Sequence, residues 1–498
     1  MKNKINRIFK VFILILPLLF LTSCDYIWEI IDILNQANSS FVAPDISEDQ
    51  AAFYKPTTYK YTNRELGHNF GVAHLESIGE QKILVVPVVF TDYQQLATPA
   101  LKSSIERAFF GQSSDTGWES VQSYYNKSSY GKLTLSGEVT DYFHLNISTT
   151  QLENMPLNDY YWDQTHYVLE NLYNYLKTVD DGQLLHDYDL DEDGYVDALY
   201  LVYMAPYDYD SELFWAYMYY WNYYPNLTHP TFNSFAWSSY SFMEEGDGYS
   251  FAEVDAHTFI HETGHLLGLD DYYDYDSESN PSGSFDMMTY NVVDHTMYSK
   301  YLLNWSQPYV VNETTKITLR PAESSGDFII LNANWNNHVY DEYILIEYFT
   351  PTGLNYQDSV GYGYQNIRPF NENGVKIYHV DSRLIAITDG YYTYTDEIVS
   401  NETTYTDIGA SNTAEYSVSD DFKLLHLLNA EGKSGDWYDN DLKPSNKALF
   451  KTGDEIAHTK WKTYLKSSSR FNSGKNINFS IQIGTMNDDG VDIYITKH

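Results

Sequence analysis

The residues best suited to chemistry are His261-Glu262-Thr263-Gly264-His265, set in a stretch with helical periodicity from about Glu253 to Leu267. On a helix, residues four apart share a face, so His261 and His265 can offer two imidazole nitrogens to one point with Glu262 beside them. Two neutral imidazoles suit zinc, and a carboxylate next to the metal can take a proton from an attacking water. Gly268 follows, able to adopt the left-handed conformation that ends a helix and turns the chain back. That reversal places Asp271 as a third ligand, and two His plus one carboxylate leave a coordination position open for catalysis. The other nearby carboxylate, Glu278, lies in the turn-rich run Asp276 to Pro281 and is the weaker candidate. His257 sits one helical turn before His261 and is read as a packing or supporting group rather than a ligand.

Farther on, Ser284-Phe285-Asp286-Met287-Met288-Thr289-Tyr290 reads as a turn carrying a methionine, and metzincins place such a Met beneath the zinc. Several metzincins also place a Tyr two residues after that Met, which makes Tyr290 a candidate for ligating the zinc at rest or hydrogen-bonding a developing oxyanion. A second metal candidate is Asp189-Leu190-Asp191-Glu192-Asp193-Gly194-Tyr195-Val196-Asp197. Its alternate carboxylates around a Gly turn match a calcium loop built from Asp189, Asp191, Asp193, the Tyr195 carbonyl and Asp197. Tyr200 stands where an EF-hand has its bidentate Glu, so the loop is not an EF-hand.

With these residues in place, the chain resembles the immune inhibitor A-like secreted bacterial metalloproteases, whose signature is H-E-x-G-H-x-L-G-L-x-D followed by a D-x-M turn. Ser123-Tyr124-Tyr125, Ser129 to Leu133, Asp189 to Asp197, Lys300 to Trp305 and Gly374 to Asp381 extend the likeness over roughly residues 80 to 430. The resemblance implies zinc on His261, His265 and Asp271, Glu262 as the catalytic base, Met288 in the turn and structural calcium on the acidic loop. Asp270 and Phe285 stand where members often carry Pro and Trp, and the aromatic stretch Phe214 to Tyr240 looks like an insertion.

The elements that must position these groups follow from periodicity. Ile83 to Phe90 and Ala198 to Tyr203 have the length of buried strands, Leu133 to Val139 alternates, and Leu101 to Phe110 is helix-like. After Trp305 the period turns to two, ending in a hairpin about Asn487-Asp488-Asp489-Gly490. The expected fold class is therefore α/β (α+β) over residues 81–305, which the resemblance implies is a metzincin-like zinc protease domain. A β-rich domain, read as a sandwich, follows over 306–498.

The N-terminus reads as an address. Lys2, Lys4, Arg7 and Lys10 precede the apolar run Val11 to Leu21, too short for a permanent span, and Leu21-Thr22-Ser23-Cys24 resembles a bacterial lipoprotein box. Residues 1–23 are expected to be removed and Cys24, the single cysteine, to carry lipid, with 24–80 a tether or short pro-segment adding little core. Lipid would be the only membrane anchor. With 30 Lys and Arg against 69 Asp and Glu, a formal charge of −39, nucleic acid is an unsuitable partner. Forty-three per cent hydrophobic residues against 20% charged excludes a disordered acidic polymer.

The function expected from these readings is a zinc-dependent endopeptidase outside a bacterial cell, hydrolysing protein or peptide substrates by activated water with Glu262 as base. The alternative is a surface adhesin or glycan-binding lipoprotein with an inert protease domain. Retention of Glu262 separates them, since a retired protease has no use for its base. Cleavage preference and oligomeric state are not legible in the sequence.

Overall fold

Side chains on a strand alternate between two faces, so a strand that is apolar at every position must be covered on both. Two sheets here obey that rule. In the computed structural model the first sheet orders Leu133–Val139, Gly79–Val89, Leu199–Tyr203, Ser234–Ser239 and Tyr217–Tyr220; the first four run parallel and the last is an antiparallel edge. Ile83 and Val85 face the helices Pro99–Phe110, Val121–Ser128 and His257–Leu266, whereas Leu84, Val86 and Val88 face Thr165–Leu176. The chain is thus mixed α/β, with the HETGH helix buried against one face of a largely parallel sheet.

The described residues are 41–498 except 58–60, 62, 69–74, 158–162, 222–223, 250–253, 276–278, 333, 362–368, 402, 433–443 and 466–468. The expected signal, Cys24 and Glu278 lie outside them. Among the described residues no helix is long and apolar enough to cross a membrane.

The second sheet orders Phe53–Tyr54, Tyr309–Val311, Phe328–Leu331, Glu342–Phe349, Gly374–Asp381 and Leu425–Leu427. Tyr343 and Leu345 point into the same apolar cluster as the HETGH helix. Ile344, Ile346 and Tyr348 point the other way, against the four-stranded sheet of Glu455–Ile456, Phe479–Asn487, Gly490–Lys497 and Thr315–Leu319. The C-terminal region is β-rich, and the hairpin pairs Asn487 with Gly490.

Two expectations need correction. The segment 24–80, expected to add little core, does add core from residue 46 on. Phe53 and Tyr54 pair with Val311 and Val310, and Leu66 and Leu75 are buried in the largest apolar cluster, so Ile46–His498 forms one compact unit. That cluster also crosses the boundary placed at residue 305, because the second sheet offers it one whole face. The stretch 214–240 supplies two strands of the first sheet, with Trp237 stacked on Tyr203 at 4.8 Å and fully buried. Phe232 and Phe235 are likewise fully buried, whereas Tyr219 and Tyr224 are exposed.

Candidate metal centre

The site helix, His257–Leu266, is buried along almost its whole length, as its place between sheet and second region demands. It stops where Gly268 takes φ +85°, the left-handed conformation a side chain resists. Gly268 N–H donates to the His265 carbonyl at 2.8 Å and Leu269 N–H to that of Gly264 at 3.0 Å, closing the last turn. Asn63 Nδ2 then donates to the carbonyls of Leu267 at 3.1 Å and Gly268 at 2.5 Å. The chain doubles back, and Asp271 returns to the histidines.

His261 Nε2 and His265 Nε2 lie 3.1 Å apart, and Asp271 Oδ1 is 3.0 Å from the first and 3.5 Å from the second. Tetrahedral coordination at ~2.0–2.1 Å sets ligand atoms about 3.3 Å apart, so this triangle fits a zinc-sized ion. The tautomers agree. His261 Nδ1 meets the Met287 carbonyl at 2.8 Å and His265 Nδ1 the Leu269 carbonyl at 2.7 Å. A carbonyl only accepts, so each Nδ1 carries a proton and each Nε2 is the nitrogen left facing the centre. Asp271 Oδ1, although buried, has no hydrogen-bond partner, and neither has Glu262 Oε2. Buried oxygens are seldom left so, and a cation with an attached water is the kind of group that would satisfy both.

Electrostatics point the same way. Burial opposes charge on Asp271, yet His265 and His261 hold its carboxyl far below the usual carboxylate range. Burial likewise favours a neutral His265, but the Asp271 charge, with Glu262, lifts it to about 10. The cluster attracts positive charge, as a proton or a metal. Burial raises the Glu262 carboxyl, partly offset by His261 and His265, which suits a general base.

Met288 lies beneath the helix, fully buried. A Cβ added to Gly264 would meet its Sδ at 2.5 Å and the Tyr125 hydroxyl at 3.2 Å, so only Gly lets the turn approach so closely. The turn is pinned by Asp286, whose two oxygens accept the N–H groups of Met288 and Thr296, each at 2.7 Å. Gly264→Ala is therefore expected to destabilise the protein by about 1–3 kcal/mol despite the better helix propensity of Ala, because Met288 must shift inside a packed core. Thermal denaturation checks it; an unchanged or higher melting temperature would show that the thioether yields freely.

Other expected residues fall as follows. His257 is held by Asp255 at 2.6 Å and Asp358 at 3.3 Å and stacks on Trp118 at 4.0 Å, a packing role away from the ligand triangle. The Tyr290 hydroxyl accepts from Asn280 Nδ2 at 3.3 Å. In the acidic loop, Asp189, Asp191 and Asp197 present oxygens close enough to share an ion. Asp193 caps the Tyr195 N–H at 2.9 Å and stands outside that group, in a loop where Glu192 takes φ +58° and Gly194 φ +90°. Burial, with the neighbouring Asp191, Asp189 and Asp193 charges, pushes the Asp197 carboxyl up to about 7 against a hydrogen bond from Leu190 N–H. Spacing missed Tyr273 and Tyr275. Burial, then the Asp271 charge, raises both phenols well above their ordinary range, so both remain O–H donors beside the ligands. In a chain with 49 Tyr, composition could not single them out.

No protein-family model matches the chain, and no curated protein matches it.

Proposed function

We propose that this protein is a zinc-dependent endopeptidase with a metzincin-like catalytic region, related to the immune inhibitor A-like metalloproteases. The observation that carries the reading is the triangle of His261 Nε2, His265 Nε2 and Asp271 Oδ1, with both rings oriented through Nδ1 and Glu262 Oε2 unpartnered beside it. Zinc, when held by these three residues, polarises a carbonyl and makes water a nucleophile near neutral pH. Glu262 takes the proton from the attacking water and returns it to the leaving amine, work for which its burial-raised pKa is suited. Met287 and Leu269 keep the ring orientation through their carbonyls, and the Tyr290 hydroxyl is assigned to the oxyanion. Cys24 carries the lipid that places the enzyme on the outside of a bacterial cell. Zinc analysis of the purified protein, with hydrolysis of an unfolded protein before and after chelation and zinc re-addition, tests the reading. Metal-free protein that retains full hydrolysis would reject it.

The acidic loop is assigned to calcium on Asp189, Asp191 and Asp197. Calcium that binds only the folded chain raises its melting temperature by mass action, by about 2.7 kcal/mol of added stability at a hundredfold excess over Kd. Asp191→Asn, which removes an exposed carboxylate from the group, is expected to abolish the rise. A melt that ignores calcium in the wild type would return the loop to a solvated acidic turn.

A further inference from the structure

The two oxygens of Asp271 have different surroundings. Oδ1 faces both Nε2 atoms and lacks a hydrogen-bond partner, while Oδ2 accepts the Tyr275 hydroxyl at 2.5 Å. The Asp271 side chain is 8% exposed, whereas Tyr275 is 54% exposed, so a rim residue reaches inward to a buried ligand. The phenol is held from the C-terminal region. Tyr275 N–H donates to Thr413 Oγ1 at 3.2 Å, and its ring meets those of Tyr273 at 5.2 Å and Tyr416 at 6.1 Å. Asn412 fastens the same loop through Nδ2 to the Tyr272 carbonyl at 2.7 Å and to that of Leu425 at 3.1 Å.

We infer that Tyr275 is a positioning residue for the metal-binding carboxylate: its hydroxyl occupies Asp271 Oδ2, so that Oδ1 alone is offered to the ion, and the segment around Thr413 and Tyr416 holds that hydroxyl in place. The inference rests on the zinc reading above. A carboxylate tied through one oxygen is pre-oriented and monodentate; untied, it can rotate or bind through both oxygens, and loss of such an outer partner weakens metal affinity by about 10–100-fold.

The test is Tyr275→Phe in the full chain, which removes the hydroxyl and keeps the ring. Zinc affinity is measured by competition with a chromophoric chelator, together with the melting temperature of the metal-free protein and the visible spectrum of the cobalt(II) form at saturation. Zinc affinity is expected to fall by about 10–100-fold. The metal-free melting temperature is expected to stay near wild type, as for other exposed substitutions, and the cobalt bands are expected to shift as Oδ2 becomes available. If the variant is instead destabilised, the cobalt spectrum still decides, since it reads the bound state. Zinc affinity within about twofold of wild type, or an unchanged cobalt spectrum, overturns the inference while leaving the zinc reading intact. A wild type that binds no zinc overturns both.

Discussion

Glu262→Gln is expected to retain its zinc and to lose between about 10²- and 10⁴-fold in turnover, the usual worth of a positioned general base. The reasons are local. Glu262 is no member of the ligand triangle, and its Oε2 makes no hydrogen bond, so replacing the carboxylate by an isosteric amide breaks no structural contact. Burial already penalises the charge, so the neutral amide should not lower the melting temperature. Metal content, melting temperature and kcat on one peptide substrate are the three measurements. Undiminished kcat would remove Glu262 from the mechanism, and the adhesin alternative predicts no wild-type turnover at all.

Zinc affinity should fall by at least ~100-fold between pH 8 and pH 6, because each proton displaced on binding changes affinity tenfold per pH unit. The sign follows from the cluster. Asp271 lifts His265 to about 10 and raises His261 as well, so the metal-free site holds a proton on His265 Nε2 at neutral pH that zinc must expel. Stability of the metal-free protein runs the opposite way. A His whose folded pKa lies above its unfolded value contributes stability that is complete below about 6.5 and is lost as pH rises through about 10. Chelated protein should thus become less stable from pH 7 to 10 while zinc affinity climbs. Calorimetry in buffers of different ionisation enthalpy counts the protons released; a pH-independent affinity would mean that the histidines are already neutral and that the triangle is not charge-coupled.

What sequence alone determined is local in origin. The spacing His261 to His265 places two rings together on any helix, Gly268 announces the reversal, and Asp271 follows within reach of it; each step depends on backbone geometry over a few residues. The buried runs Ile83 to Phe90 and Ala198 to Tyr203, which overlap the strands Gly79–Val89 and Leu199–Tyr203, are legible for the same reason, since an unbroken apolar run states that both faces are covered. Only the tertiary structure decided which groups surround the ligands. The Met287 carbonyl on His261 lies 26 residues from its partner, and Thr413 under Tyr275 lies 138 away. Asn63 capping the site helix lies 204 away. Hydrogen bonds between such distant residues leave no periodic trace, so residues 24–80 show little sign of core in the sequence and the strands at 217–220 and 234–239 go unannounced. Their places were set by the apolar faces left to be covered once the first strands and the site helix had packed, a condition on the whole chain.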